Sequence, residues 1–441
     1  LPIYQSQATG KVFPMIRRAL HRGLSNAVRR SFFEFSRTET THSAPHYHAL
    51  GRRKVVKAVW KVDRELAEVS HAFDFLLQVT PSNPEPEWRH FRSKRFERTP
   101  RFAYRPRPVD PSLLKRRLFA IPIERIEDPS LAALFRDQQE DLDRRLSMLS
   151  DLGTKRFLYG SLQLYGRPGS PLLRLARKIL DNVPSRSRDD SGKGHVDAKG
   201  FAARAEEEFK YYRARYPELS SKAEVRDDVT GLLVSRGNLL IGSQSQIPMS
   251  RIAALLQHEV GTHVVTYFNG RAQPFRQLFV GLPQYEELQE SLAVVAEYLA
   301  GGLSRPRLRL LAARVTAADR MVSGASFIDV FRELDRSYDF EQRMAFMITM
   351  RLFRGGGFTK DIVYLRGLVK LLDYLKGGGE LEPLYVGKIG SGHVSIIEEL
   401  QWRKVLLPMP LKPRYLEDPG FPEKMAKLRQ ADSVLDLIKR R

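Results

Sequence analysis

His258 and His263 stand five residues apart, with Glu259 beside the first, near the end of an apolar pattern formed by Ile252, Ala253, Leu255, Leu256, Val260 and Val264. That pattern is helical. On a regular α-helix, however, a five-residue step puts two side chains roughly 140° apart around the axis, whereas a four-residue step keeps them on one face. For the two imidazoles to meet, the helix has to absorb one residue. A π-bulge does this, such bulges recur at functional sites, and Gly261, with no side chain to clash, makes the distortion easy. The expected local fold is a helix with a distorted turn at Val260 to Thr262.

Two imidazoles brought together beside a carboxylate suit a metal ion. The chain has no cysteine, which excludes disulfides, thiolate zinc and a cysteine nucleophile, so a metal has to rest on histidine and carboxylate. One zinc ion (Zn2+) is the expected cofactor. A catalytic zinc takes three protein ligands and keeps an open position. His258 and His263 supply two, and Glu290, in Gln289-Glu290-Ser291-Leu292-Ala293, is the choice for the third, because a carboxylate in that apolar run is costly unless paired or metal-bound; Glu297 is the alternative. Zinc acidifies water, Glu259 takes the proton as the catalytic base and later hands it to the leaving nitrogen. An oxyanion donor is also required, and Tyr285, Tyr364, His393 or an arginine each suit the role. A second cluster, His42, His46 and His48, is interrupted by Pro45 and has no carboxylate within it, so it reads as a loop.

With 441 residues, 42% of them hydrophobic, the chain can bury a large core and holds two or three structural units. The expected fold class is α+β and mostly helical: a zinc-metallopeptidase-like core with a small sheet or hairpin before the H-E-x-x-x-H helix, plus an N-terminal helical unit. Residues 1–45 read as a flexible basic arm, 46–183 as the helical unit, 184–199 as a polar, glycine-bearing linker, 200–411 as the catalytic unit and 412–441 as a peripheral segment. Prolines from Thr80-Pro81 to Arg107-Pro108 read as breaking regular structure, and Asp128-Pro129 as restarting a helix. Leu232-Leu233-Val234 and Leu239-Leu240-Ile241 around Ser235-Arg236-Gly237-Asn238 have the pattern of a hairpin. Peptidases of this type hold substrate against such a strand by β-augmentation.

The formal charge of +22 and pI near 10.1 favour an acidic partner, and no run of about 18 apolar residues suggests a membrane span. Residues 1–33 carry Lys11, Arg17, Arg18, Arg22, Arg29 and Arg30 and no acid, the composition of a basic arm or an organellar transit peptide; the location expected is otherwise cytoplasmic. Such charge also suits a basic regulatory or nucleic-acid-binding protein with a structural metal, although no nucleic-acid-binding signature is present.

Between Val234 and Gly301, the glycine hairpin, Pro248, His258-Glu259-Val260-Gly261-Thr262-His263, Asn269-Gly270, Gln273-Pro274 and Gln289-Glu290-Ser291-Leu292-Ala293, together with the later Gly357-Phe358-Thr359-Lys360-Asp361-Ile362-Val363-Tyr364-Leu365-Arg366-Gly367, resemble the microtubule-associated tyrosine carboxypeptidase (MATCAP) family and its bacterial relatives bearing a QEGLA motif. The resemblance extends from about Tyr47 to Leu411. It implies a zinc metallocarboxypeptidase with His258, His263 and Glu290 as ligands and Glu259 as catalyst. Its eukaryotic members remove a C-terminal tyrosine from the acidic tail of α-tubulin, which implies a peptide or protein C-terminal tail ending in an aromatic residue as substrate. Ser291 departs from the glycine of the bacterial motif and affects local helix packing. Arg351, Arg354 and Lys360 are the expected partners of a terminal carboxylate, with Tyr364 beside them as a further substrate-binding residue.

Overall fold

The computed structural model describes residues 4–6, 9, 12–41, 46, 47, 50, 57–185 and 194–438. It is mostly helical with two small sheets, the α+β class expected. Helix starts follow local chemistry. Asp110 and Asp128 each accept the backbone N–H two residues on, and a proline occupies the next position, where its missing N–H costs nothing. Proline at a first helical position corrects one expectation: Pro84 does not break the chain but opens helix Pro84–Ser93, whereas residues 101–110, with Pro106 and Pro108, are irregular as expected. Within the segment expected to be a flexible arm, Pro14–Glu39 forms a 26-residue helix. Of the histidine loop cluster, His42 and His48 lie outside the described residues, and His46 Nε2 meets Ser130 Oγ at 2.7 Å.

Among the described residues the strands are β1 (His195–Asp197), β2 (Ala223–Arg226), β3 (Leu232–Ser235), β4 (Asn238–Gly242) and β5 (Gln246–Pro248). β1 pairs antiparallel with β5. The other three form a sheet in the order β2-β4-β3, parallel across β2 and β4 and antiparallel across β3 and β4. Arg236 and Gly237 turn the β3–β4 hairpin with φ of 49° and 82°, the left-handed pair that a two-residue hairpin requires. A Cβ on Gly237 would sit 2.6 Å from the Tyr267 ring, so this turn lies directly against the helix that follows the histidines. The stretch read as a linker ends in β1 and the start of helix Ala198–Arg213; residues 186–193 lie outside the described residues. Apolar residues from both sides of it, from Val59 to Leu437, form one continuous buried cluster. The C-terminal segment joins that cluster through Tyr415, Met425, Leu428 and Val434.

Helix Tyr285–Leu299 runs through the middle of this core and is buried on almost every side. Helix Val363–Lys376 lies against it at close range, because Gly367 lets the backbones approach: a Cβ there would come within 2.4 Å of the Glu287 carbonyl oxygen and 3.1 Å of Ser291 Cβ. The small side chain of Ser291 is accommodated because its neighbour has none, and its Oγ donates to the Leu288 carbonyl at 2.7 Å. Gly367→Ala is expected to lower stability by about 1–3 kcal/mol through overpacking, read as a drop in the thermal midpoint; an unchanged midpoint would show that the two helices can separate freely.

Candidate functional site

The histidine segment is not one regular helix. Ile252–His258 is α-helical, Glu259–Val264 is a π-helical turn, and Val265–Arg271 is α-helical again. The extra residue is absorbed where expected, and the two imidazoles come together with ring centroids 5.1 Å apart. Two local features permit the widened turn. Thr262 Oγ1 donates to the carbonyl of Gln257, five residues back, at 3.0 Å, giving that carbonyl a side-chain partner within the distorted stretch. A Cβ on Gly261 would meet the end of the Gln257 side chain, at 2.5 Å.

Glu290, on the central helix, completes the cluster. Its Oε2 lies 3.8 Å from His258 Nε2 and 3.6 Å from His263 Nε2, and this buried oxygen has no hydrogen-bond partner. Its other oxygen accepts from Lys360 Nζ at 3.1 Å. A buried carboxylate oxygen left unpaired between two imidazole nitrogens is costly unless something positive sits among them. This nitrogen–nitrogen–oxygen donor set is the one zinc prefers when thiolates are absent. Glu259 also approaches, its Oε1 lying 3.9 Å from His258 Nε2, and it joins the two histidines in a group whose ligand atoms lie within 4.8 Å of one another. Of the two carboxylates, Glu290 is the one that faces both Nε2 atoms with an unpartnered oxygen.

Glu297, weighed from sequence as an alternative ligand, faces the other side of His258. Its Oε1 lies 2.9 Å from His258 Nδ1. Arg307 Nε donates to the same oxygen at 3.1 Å and Arg251 to Oε2 at 2.6 Å. Although Glu297 is fully buried, which by itself would favour the neutral acid, Arg307, His258 and Arg251 hold its carboxyl well below the usual carboxylate range. An ionised carboxylate only accepts, so Nδ1 of His258 donates to Glu297 and Nε2 is the nitrogen that faces Glu290 and His263; burial opposes a charge on this ring, but Glu297 and Glu259 outweigh it and raise His258 above its ordinary value. Sequence reading missed this role, and it missed Arg251 and Arg307. A signal was present: Glu297 lies two turns beyond Glu290 on the same apolar helix.

Burial sets the rest of the electrostatics. It pushes Glu259 up to about 7, with the Glu290 and Glu297 carboxylates adding to the rise and His258 opposing it. It pushes His263 down to about 4, keeping that ring neutral, which is the form that binds metal. Burial also disfavours the charged form of Glu290, yet Lys360 and the two histidines outweigh it and bring that carboxyl down to about 2.

The proposed substrate contacts are placed less uniformly. Lys360 is buried against Glu290. Tyr364 lies within the same cluster, its ring under the Arg314 guanidinium at 4.9 Å and Lys360 Nζ at 5.6 Å. Arg351 forms a two-point pair with Asp361, at 2.5 and 2.7 Å. Arg354 bonds Thr80 Oγ1 at 3.1 Å and lies over the Phe358 ring. Arg314, which sequence reading missed, faces Asp361 Oδ2 through its Nε at 3.4 Å, and the Nε of Arg354 has no hydrogen-bond partner. Of the other oxyanion candidates, Tyr285 opens the central helix and lines a cleft with Lys388 and β3. His393 lines a different surface cleft with Asp137 and Glu140, so it is not brought to His258 and His263.

Glu286 and Glu287, which a sequence reading would leave to solvent, are both buried. Arg145 makes a two-point pair with Glu286 at 3.1 Å, and Arg366 and Lys370 hold Glu287. The central helix thus carries four buried acids, each with a cationic or imidazole partner, and only Glu290 keeps an oxygen free for a ligand. No individual curated protein matches the chain. The profile of the microtubule-associated tyrosine carboxypeptidase family matches residues 89–433 of 441, a span that contains both histidines, the central helix and the arginine cluster. By this match the chain belongs to the microtubule-associated tyrosine carboxypeptidase family.

Proposed function

We propose that this chain is a zinc-dependent carboxypeptidase that removes the last residue, tyrosine or phenylalanine, from the acidic tail of a peptide or protein. The observation that carries the metal is the unpartnered Glu290 Oε2 between the Nε2 atoms of His258 and His263; the family supports the carboxypeptidase assignment, and this displaces the nucleic-acid-binding reading. When bound by these three residues, zinc polarises the scissile carbonyl and acidifies an attacking water. Glu259 accepts the proton of that water on its carboxylate and returns it to the departing amine, for which burial beside His258 suits it. Glu297 holds His258 in the ligating tautomer and orientation.

Binding of the terminal carboxylate falls to the arginine cluster. Arg314, Arg351 and Arg354 surround one acid, Asp361, so the buried charge there is positive in excess, and an anion relieves it. Arg354 keeps an Nε without a hydrogen-bond partner, and Arg314 and Arg351 both face Asp361. The substrate chain leading up to the cleaved bond runs along β3. That strand ends the sheet and borders the cleft in which Lys388 Nζ lies 5.4 Å from the rings of both Tyr267 and Tyr285. Burial pushes Lys388 down to about 8, and an acidic side chain of the substrate would favour its charged form.

The direct test is digestion of paired peptides ending in Tyr or Phe, with the terminus free or amidated, read by mass spectrometry. Loss of one residue from the free form and at least tenfold slower cleavage of the amide are expected, because the arginine cluster then has no carboxylate to bind. Internal cleavage of both forms would overturn the exopeptidase reading. Dialysis against a zinc chelator should abolish the activity, and one equivalent of zinc should restore it. Glu297→Gln should weaken zinc binding about 10–100-fold, measured by chelator competition, with the apo protein melting as a folded chain; an unchanged zinc affinity would remove the orienting role.

A further inference from the structure

The helix Pro14–Glu39 has no part in the site described above, and its surface is unusual. Its half-buried positions are polar for the most part, Ser25, Asn26, Arg29 and Ser36 with Phe33, while its apolar ridge is left open. Ile16, Leu20, Leu24, Val28, Phe32 and Phe35 recur at steps of three and four and share one side of the helix. Leu24 is 69% exposed, Phe32 63% and Phe35 58%. A soluble helix normally turns such a stripe inward. From Ile16 to Phe35 the ridge is about 28 Å long at 1.5 Å per residue.

Charge indicates what covers it. The helix carries six arginines against two glutamates, on a chain whose net charge is +22. Arg17 and Arg30 are exposed near the ridge. We infer that this helix lies flat on an anionic lipid surface, its apolar ridge sunk to the acyl boundary and the exposed Arg17 and Arg30 at the headgroups. A straight convex ridge of leucine, valine and phenylalanine needs no matching groove in a bilayer interface, and long arginine side chains reach the phosphates from beside it. The positive charge selects anionic over neutral lipid and adds to the attraction at each basic residue near the surface. Such an anchor would hold the peptidase at a membrane without a spanning segment; among the described residues no helix is long and apolar enough to cross one.

Sedimentation of the full chain with vesicles tests this. Vesicles of phosphatidylcholine containing about a third phosphatidylserine should pull down the protein, and pure phosphatidylcholine vesicles should bind at least about tenfold more weakly. The double variant Leu24→Glu with Phe32→Glu should cut partitioning onto the anionic vesicles by about tenfold or more, since it places charge within the ridge. Arg17→Gln should reduce it by about fivefold. Peptidase activity on short peptides should be unchanged in these variants, which also shows that they are folded. Anionic-vesicle binding that survives the double variant would assign it to the charge of the body and overturn the inference. So would absence of vesicle binding, or self-association of the wild type that the double variant abolishes without any vesicle binding.

Discussion

Glu259→Gln is expected to lower peptide hydrolysis by about 10²–10⁴-fold while leaving one zinc bound. The amide keeps the size and hydrogen-bonding length of the acid but cannot take up a proton, and that is the range general-base removal typically costs. Zinc should stay, because Glu290 rather than Glu259 presents the unpartnered oxygen to both histidines. The variant should fold normally: Glu259 is buried, and a neutral side chain is easier to bury than a carboxylate. Zinc content by mass spectrometry and kcat on a Tyr-terminated peptide check the two halves separately. Undiminished turnover would remove Glu259 from the chemistry, whereas loss of zinc together with activity would make it a ligand instead.

Glu290→Ala is expected to do two kinds of damage at once. Zinc binding should fall to a level that dialysis removes, since two imidazoles remain. The metal-free protein should also lose about 3–5 kcal/mol of stability, the usual cost of breaking a buried ion pair from one side. The cause is Lys360, whose side chain is 3% exposed and whose ammonium pairs with Glu290 Oε1; burial opposes that charge and the Glu290 carboxylate upholds it. A second substitution separates the effects. Adding Lys360→Met to Glu290→Ala removes the stranded cation and should recover most of the stability, while zinc binding remains lost. Urea unfolding of the apo forms gives the first quantity and chelator competition the second. If the apo Glu290→Ala protein unfolded at the wild-type urea concentration, the Lys360–Glu290 pair would contribute nothing to the fold, and a single role as ligand would suffice for Glu290.

Much of the site was legible in the linear chain because its information is local. His258, Glu259 and His263 lie within one and a half turns, and the misfit of their spacing to 3.6 residues per turn demanded the π-helical turn that Glu259–Val264 adopts. The hairpin announced itself through Arg236-Gly237 between two apolar runs. Proline was harder to read, since the same residue that ends one helix opens another at its first position, and Pro84 takes the second role.

Charged residues are where reading from sequence ran out. Arg351 and Lys360 are expected from sequence to meet a terminal carboxylate, and the structure shows that each already has an acidic partner, Asp361 and Glu290, while Arg307 and Arg314 lie on helix Arg305–Val322, outside the motifs. The four acids of helix Tyr285–Leu299 look alike in sequence, yet three are closed ion-pair or hydrogen-bonded sites and one keeps an oxygen free. By itself, then, the sequence determined the helix that carries the imidazoles, its extra residue, the strand before it and the absence of thiolate chemistry. The tertiary structure decided between the two carboxylates weighed from sequence, placing Glu290 against both imidazoles and Glu297 on the far side of His258, and it decided which cations are already paired. Backbone geometry follows from neighbouring residues, whereas the state of a buried charge depends on partners such as Lys360, 70 positions from Glu290, that only the folded packing brings within reach.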